Sequence, residues 1–187
     1  TINNNSQCLG GNNFVFTNTA TGATSYLWNF GDANTSNTTA PSHSYTTVGV
    51  FIVKLVSITT YGCKDSTTKA VNVSPKPVSS FTINNTNQCL IGNNFVFTNT
   101  SVGGSTYLWN FGDAATSGST SPSHSYTTEG TFTVKLVSIE SSNCKDSTTM
   151  NVDVRPKPVS SFTVNNSSQC LKSNIFSFSN TSTEPST

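Results

Sequence analysis

The chain has 187 residues, a net charge of +1 and only 9% charged residues, against about 25% in an average domain, so it has no basic patch for phosphates and nucleic-acid binding is excluded as a reading. No apolar run approaches the ~20 residues a membrane helix requires, so no membrane insertion is expected in this segment. Thr, Ser and Asn make up 84 of the 187 residues, yet 12 Phe, 5 Tyr and 2 Trp argue against disorder, and together with Thr and Val they predict an all-β extracellular module with a neutral, hydrophilic surface.

The elements follow a repeat. TINNNSQCLGGNNFVFTNT opens the chain, TINNTNQCLIGNNFVFTNT begins at Thr82 and TVNNSSQCLKSNIFSFSNTST at Thr163, an offset of 81 residues each time. Aligning 1–76 with 82–157 without gaps gives 53 identities, the signature of an array. PKPVSSF occurs at 75–81 and 156–162 but not before Thr1. The expected domains are therefore repeat one at 1–76 with its first strand missing, repeat two at 77–157 complete, and the start of repeat three at 158–187.

Within repeat two the predicted strands are 78–84, 94–100, 105–111, 115–119, 122–127, 131–140 and 146–154. Phe95 and Phe97 share one face, as do Tyr107, Trp109 and Phe111; Phe132, Val134 and Leu136 form a third inward row, and Val152 and Val154 a fourth. Period-two alternation with turn signals every 8–12 residues predicts a sandwich of about seven antiparallel strands per repeat, the units following head-to-tail. The linkers Ser74-Pro75-Lys76-Pro77 and Arg155-Pro156-Lys157-Pro158 are short and stiffened by proline.

YLWNFGDA at 26–33, PSHSY at 41–45 and GVFIVKLVS at 49–57 return as YLWNFGDA at 107–114, PSHSY at 122–126 and GTFTVKLVS at 130–138. Three blocks in this order resemble the PKD domain. The resemblance implies an immunoglobulin-like β-sandwich used as a spacer or adhesive module in secreted and surface proteins. The paired cysteines and tandem copies resemble arrays in giant surface proteins of the Bacteroidota. Asn29 and Asn110 stand where the family pattern has its first Asp, and Ala33 and Ala114 where it has its last Gly. Those departures weaken a cation site.

The motif residues read structurally. Trp28 with Phe30 and Trp109 with Phe111 belong to the two cores. Gly31 and Asp32, like Gly112 and Asp113, lie where a strand must turn; Gly supplies unusual backbone angles and Asp caps nearby amides. His43 and His124 are the only histidines, two residues before Tyr45 and Tyr126. One His and two repeat-invariant acids per unit do not make a nucleophile with a base and an orienting group, so no catalysis is expected. One Asp with Asn and carbonyl neighbours offers a weak calcium site at best, since six or more oxygens are wanted; no cofactor is expected.

Cys8, Cys89 and Cys170 are placed in the first loop of each repeat, and Cys63 and Cys144 between the last two strands. The first loop and the last hairpin lie at opposite poles of a sandwich. Seven residues of strand span about 23 Å, whereas bonded cysteines need Cα atoms within ~7 Å. The favoured pair is therefore Cys8 with Cys144, across repeats, with Cys63, Cys89 and Cys170 bonding partners outside the chain's window. Pairing within a repeat, and free or interchain thiols, remain the alternatives. Asp65-Ser66-Thr67 and Asp146-Ser147-Thr148 resemble the O-glycosylation motif of Bacteroidota, making Ser66 and Ser147 candidate sites.

The expected function is a non-enzymatic shaft of an extracellular adhesin or filament at the bacterial surface. Its partners are further copies of the repeat in the same chain and neighbouring chains of a fibre. The alternatives are a module binding surface glycans or proteins, or an accessory region of a secreted hydrolase. A shared sugar platform is argued against by Tyr61, which repeat two replaces with Ser142.

Overall fold

A computed structural model describes residues 1–183. Every regular element among them is a strand. In repeat one these are β1 (Ser6–Cys8), β2 (Phe14–Val15), β3 (Ser25–Asn29), β4 (Thr35–Ser36), β5 (Ser42–His43), β6 (Gly49–Ile58) and β7 (Lys64–Ser74). They form a five-stranded sheet in the order β1-β7-β6-β3-β4, with β2 pairing β5 opposite it. The chain is all-β, with tandem immunoglobulin-like sandwiches.

The alternation in the sequence decides which side chains go inward. In β6, Val53 and Leu55 are buried while their neighbour Lys54 is exposed; Val71 and Val73 of β7 follow the same rule. Phe14 and Phe16 face them from the other layer, with Trp28, Phe30 and Tyr45 filling the space between. Phe16 packs against Trp28 at 5.4 Å and against Phe30 at 5.5 Å between ring centroids. Each fully buried Phe is worth about 1.5–3 kcal/mol of apolar burial, and tilted ring pairs add about 0.5–1.5 kcal/mol. A unit of this size with so few charges is held mainly by these rings.

Repeat two carries β8 (Phe81–Ile83), β9 (Asn87–Cys89), β10 (Phe95–Asn99), β11 (Thr106–Asn110), β12 (Thr116–Ser117), β13 (Ser123–His124), β14 (Gly130–Ile139) and β15 (Lys145–Arg155). Its sheets run β12-β11-β14-β15-β9 and β13-β10-β8. Then come β16 (Phe162–Val164) and β17 (Phe178–Asn180), which pair antiparallel. By their contacts the residues fall into two compact units. One holds Thr1–Ser80, Thr100–Leu108 and Leu136–Thr148; the other holds Phe81–Asn99, Trp109–Lys135 and Thr149 onward.

The strands differ from expectation in three places. Cys8 and Cys89 do not lie in loops: they end β1 and β9, which pair parallel with β7 and β15. Not every pairing is therefore antiparallel, and repeat two has eight strands. The segment expected at 78–84 is regular only from Phe81, with a single bridge between Val78 and Val102. Pro77 has no N–H, and the N–H of Ser79 goes to the Asp146 carboxylate at 2.9 Å instead of a strand. The segments expected at 115–119 and 122–127 shrink to two residues each. Beside the first of them, the Ser117 hydroxyl accepts from the Ser119 N–H at 3.2 Å, a local turn that competes with the ladder.

Candidate functional site

Two features could carry function: the turn after β3 and β11, and the cysteine pair. The turn begins where Trp28 ends its row, its Nε1 donating to the Thr38 carbonyl at 3.1 Å. Gly31 has φ 85°, and a Cβ there would stand 2.9 Å from the Ile52 carbonyl oxygen. Only glycine fits this close approach of two backbones. The Gly31 N–H donates to Asn29 Oδ1 at 2.8 Å, so Asn29 caps the turn. Ala33 holds φ 73° without being glycine.

The structure brings Asp32 and His43 together, Nε2 to Oδ2 at 2.7 Å. The other Asp32 oxygen accepts the Asn34 N–H at 3.1 Å. Burial pushes the Asp32 carboxyl up, but the bonds from His43 and Asn34 outweigh it and hold it below the usual carboxylate range. The His43 ring stacks on Phe30 at 4.2 Å and meets Tyr45 edge-on at 4.7 Å. The Tyr45 hydroxyl donates to the Phe30 carbonyl at 2.7 Å, and burial, with Asp32 nearby, raises its pKa well above that of a free phenol. The same set recurs in repeat two. His124 meets Asp113 at 2.7 Å, His124 stacks on Phe111 at 4.3 Å, and Tyr126 donates to the Phe111 carbonyl at 2.7 Å. Trp109 Nε1 donates to Ser119 at 2.9 Å, and Gly112 has φ 88°.

Chemically this is a staple. Each donor and acceptor named above joins two pieces of backbone or fixes a ring. Among the described residues no three His, Cys, Asp or Glu side chains gather in a group that could hold a metal ion. Asn12 and Asn93, which the sequence reading passed over, complete the device. Asn12 is buried, donates to the Leu9 and Tyr45 carbonyls and accepts the Tyr45 N–H at 2.7 Å; Asn93 does the same for Leu90 and Tyr126. Their one signal was the Asn that follows each first cysteine by four residues, Asn12, Asn93 and Asn174, lost among 23 asparagines.

The second feature is a disulfide between Cys8 and Cys144, with Cα atoms 5.6 Å apart. Cys8 lies opposite Ser74 at the end of β7, while Cys63 sits beyond the other end of that strand, next to Lys64. Eleven residues of strand separate them, about 35 Å, so pairing within repeat one is out of reach. Cys63, Cys89 and Cys170 are unbonded and exposed. The hairpin holding Cys144 is closed by Glu140, which accepts from the Ser141 and Ser142 hydroxyls and the Ser142 N–H; these bonds pull its carboxyl down to about 2. Nearby, Asp146 accepts from Lys76 Nζ at 3.0 Å and from the Ser79 N–H, clasping the linker. Ser66 and Ser147 are exposed.

The model of the PKD domain family matches twice, over residues 10–75 and 72–154. The chain belongs to the PKD domain family. Among solved structures, the PKD1 domain of Vibrio anguillarum Epp is 28% identical, with a TM-score of 0.38, 44% of this chain and 96% of that chain covered. The PKD1 domain of the metalloprotease PrtV of Vibrio cholerae is 29% identical, with a TM-score of 0.37, 42% of this chain and 96% of that one covered. The fibronectin(III)-like modules of Clostridium thermocellum CbhA match at 14% identity over 83% of this chain and 94% of that one, with a TM-score of 0.47. In both PKD repeats the motif residues serve the turn itself. No helix among the described residues is long and apolar enough to cross a membrane.

Proposed function

We propose that this chain is a non-enzymatic structural region of an extracellular adhesin or filament, a stiff shaft of PKD units at a bacterial surface of the Bacteroidota type. In this reading the units are 1–76, 77–157 and the start of a third at 158–187. The observation that carries it is the Cys8–Cys144 disulfide: its two cysteines stand in different repeats, at positions that the 81-residue offset copies to Cys89 and Cys63. A bond that recurs with the period stiffens every junction of an array, whereas a bond within a repeat stiffens only a sandwich. A disulfide framework also fits an oxidising compartment. The Asp–His turns support the non-enzymatic part, because the carboxylate, the imidazole and the phenol are each occupied with holding the fold. In the same reading, exposed Ser66 and Ser147 carry O-linked glycans.

Small-angle scattering of the oxidised chain, of the reduced chain and of Cys8→Ser tests the shaft. A narrow, extended distance distribution that broadens on reduction and in the variant is expected. A distribution that is broad in the oxidised chain and unchanged by reduction overturns the reading.

A further inference from the structure

The Cys8–Cys144 bond has an ionic neighbour. Asp146, two residues beyond Cys144, binds Lys76 Nζ at 3.0 Å, and residues two apart on a strand share a face. The spacing on the other side of the joint matches. Cys8 stands opposite Ser74, and Lys76 follows Ser74 by two residues. The Leu9 N–H donates to the Ser74 carbonyl at 2.9 Å, which fixes the end of β1 against the start of the linker. All of these residues belong to the first compact unit.

Lys76 bridges the two sides. Its stem passes over Gly10, where a Cβ would stand 3.9 Å from Lys76 Cδ, and its half-exposed ammonium ends on the Asp146 carboxylate. The second Asp146 oxygen accepts the Ser79 N–H at 2.9 Å, and the Asp146 carbonyl accepts the Ser79 hydroxyl at 2.9 Å. Ser79 is buried and also meets Ser138, whose hydroxyl donates to Ser101 at 2.9 Å. A linker held at Lys76 and Ser79 has little freedom left between them. Pro77 is fixed in φ, and Val78 is bridged to Val102.

None of these contacts needs the sulfur–sulfur bond. We propose that they form first and select the disulfide: Asp146, by holding Lys76 and Ser79, presents Cys144 to Cys8 before either thiol is oxidised. Without the clasp the two cysteines end a loop of 136 residues, whose closure is entropically unfavourable. With it, the path between them runs through Ser74, Lys76 and Asp146, and the thiols meet at the effective concentration of a short tether. Asp146 and Lys76 are positioning residues; the chemistry belongs to the cysteines. With oxidised glutathione, the Cys144 thiolate attacks one sulfur and releases one glutathione. The Cys8 thiolate then attacks the Cys144 sulfur and expels the second. Two cysteine protons and two electrons leave in two molecules of reduced glutathione. Coupling is reciprocal, so the formed disulfide holds the Asp146 carboxylate in turn. Facing that carboxylate are the Lys76 ammonium and the N–H groups of Ser79 and Ser147. Glu140 is turned to Ser141 and Ser142, and Lys145 lies on the opposite face of the strand.

The inference rests on the array reading for its purpose, but its test does not depend on chain stiffness. The intact chain is equilibrated in glutathione redox buffers at neutral pH, and the Cys8–Cys144 bond is quantified by peptide mapping. Wild type is compared with Asp146→Asn, Lys76→Met and Lys76→Arg. The equilibrium constant is expected to fall by about tenfold in Asp146→Asn, which loses the charged acceptor of both partners. It is expected to fall by about twofold to fivefold in Lys76→Met, which loses only an exposed ion pair, and to be restored in Lys76→Arg. Followed by NMR, the Asp146 carboxyl is expected to titrate about one pH unit lower in the oxidised chain than in the reduced one, the same tenfold read from the other side. A constant unchanged in Asp146→Asn overturns the proposal. So does a carboxyl that titrates at the same pH in both redox states, since a variant that merely unfolds the hairpin lowers the constant without that difference. If the shaft reading alone fails, scattering is broad in the oxidised chain while both couplings remain. If this inference alone fails, the oxidised chain scatters as a narrow rod while both are absent.

Discussion

His43 reaches Asp32 across eleven residues at 2.7 Å, and His124 reaches Asp113 across the same separation at the same distance. The bond closes the loop between β3 and β5 and stacks the imidazole on the ring of Phe30 or Phe111. It ties together the Gly-Asp turn and the Pro-x-His-x-Tyr segment, the two parts of the motif.

That bond gives a pH dependence with a definite sign. Asp32, Asp113 and Asp146 all have carboxyls held below their ordinary value. A carboxyl depressed in the folded state contributes stability that is complete above its unfolded value, about 3.9, and is lost as pH falls through the lower folded value. Thermal unfolding between pH 2.5 and 7 is expected to be flat for these groups above about pH 5 and to decline below about pH 4. The double variant Asp32→Asn, Asp113→Asn is expected to start from a lower Tm at pH 7 and to show a shallower acid limb.

Two neighbouring positions of the turn respond in opposite directions. Ala33 and Ala114 hold φ 73° and 74°, a region that costs non-glycine residues about 1 kcal/mol. Ala33→Gly and Ala114→Gly are expected to be neutral or stabilising by up to about 1 kcal/mol, the strain relief offset by a freer unfolded chain. Gly31→Ala would place a Cβ 2.9 Å from the Ile52 oxygen and is expected to cost about 2 kcal/mol or more. Urea unfolding of the three variants separates these outcomes.

The Tyr45 hydroxyl is a buried donor to the Phe30 carbonyl. Tyr45→Phe keeps the ring contacts and removes that donor, at an expected cost of about 1–3 kcal/mol. Its absorbance makes a second check: with the phenol pushed upward by burial and by Asp32, the wild-type Tyr45 phenolate is expected to form only as the sandwich unfolds.

The Cys8–Cys144 bond closes a separation of 136 residues. A loop of that length confines the unfolded chain by about 4–5 kcal/mol in the chain-entropy treatment. Reduction, and the variant Cys144→Ser, are expected to lower stability by up to that amount. Peptide mapping without reductant is expected to recover the Cys8–Cys144 pair; a Cys89–Cys144 peptide in its place contradicts it.

Much of this was legible because the sequence repeats itself. Alternating Phe, Val and Leu determine β6, β10 and β14 locally, so their inward faces follow from period two alone. The opposite-pole argument led from strand length to Cys8–Cys144. The short strands β1 and β9 were not legible: Ser-Gln-Cys and Asn-Gln-Cys show no alternation and lie between Asn-rich and Gly-Asn segments, so they look like loop. They become strands only because β7 and β15 pass beside them. Asn12 was hidden for a similar reason, since its partner Tyr45 lies 33 residues away. Asp32 and His43 both belong to the repeated motif blocks, but only the folded turn brings their side chains into contact.

The parallel pairing of β1 with β7 has a consequence under tension. Ser6, Gln7 and Cys8 run in the same direction as Asn72, Val73 and Ser74. Pulling the start of a repeat backwards and its end forwards slides these strands along their common axis, so their hydrogen bonds are strained in shear, all at once. An antiparallel hairpin pulled from its open end unzips, surrendering one bond at a time. Asn87–Cys89 against Asp153–Arg155 repeats the arrangement, so three-residue strands too short to notice in the sequence make each repeat resist tearing along the chain.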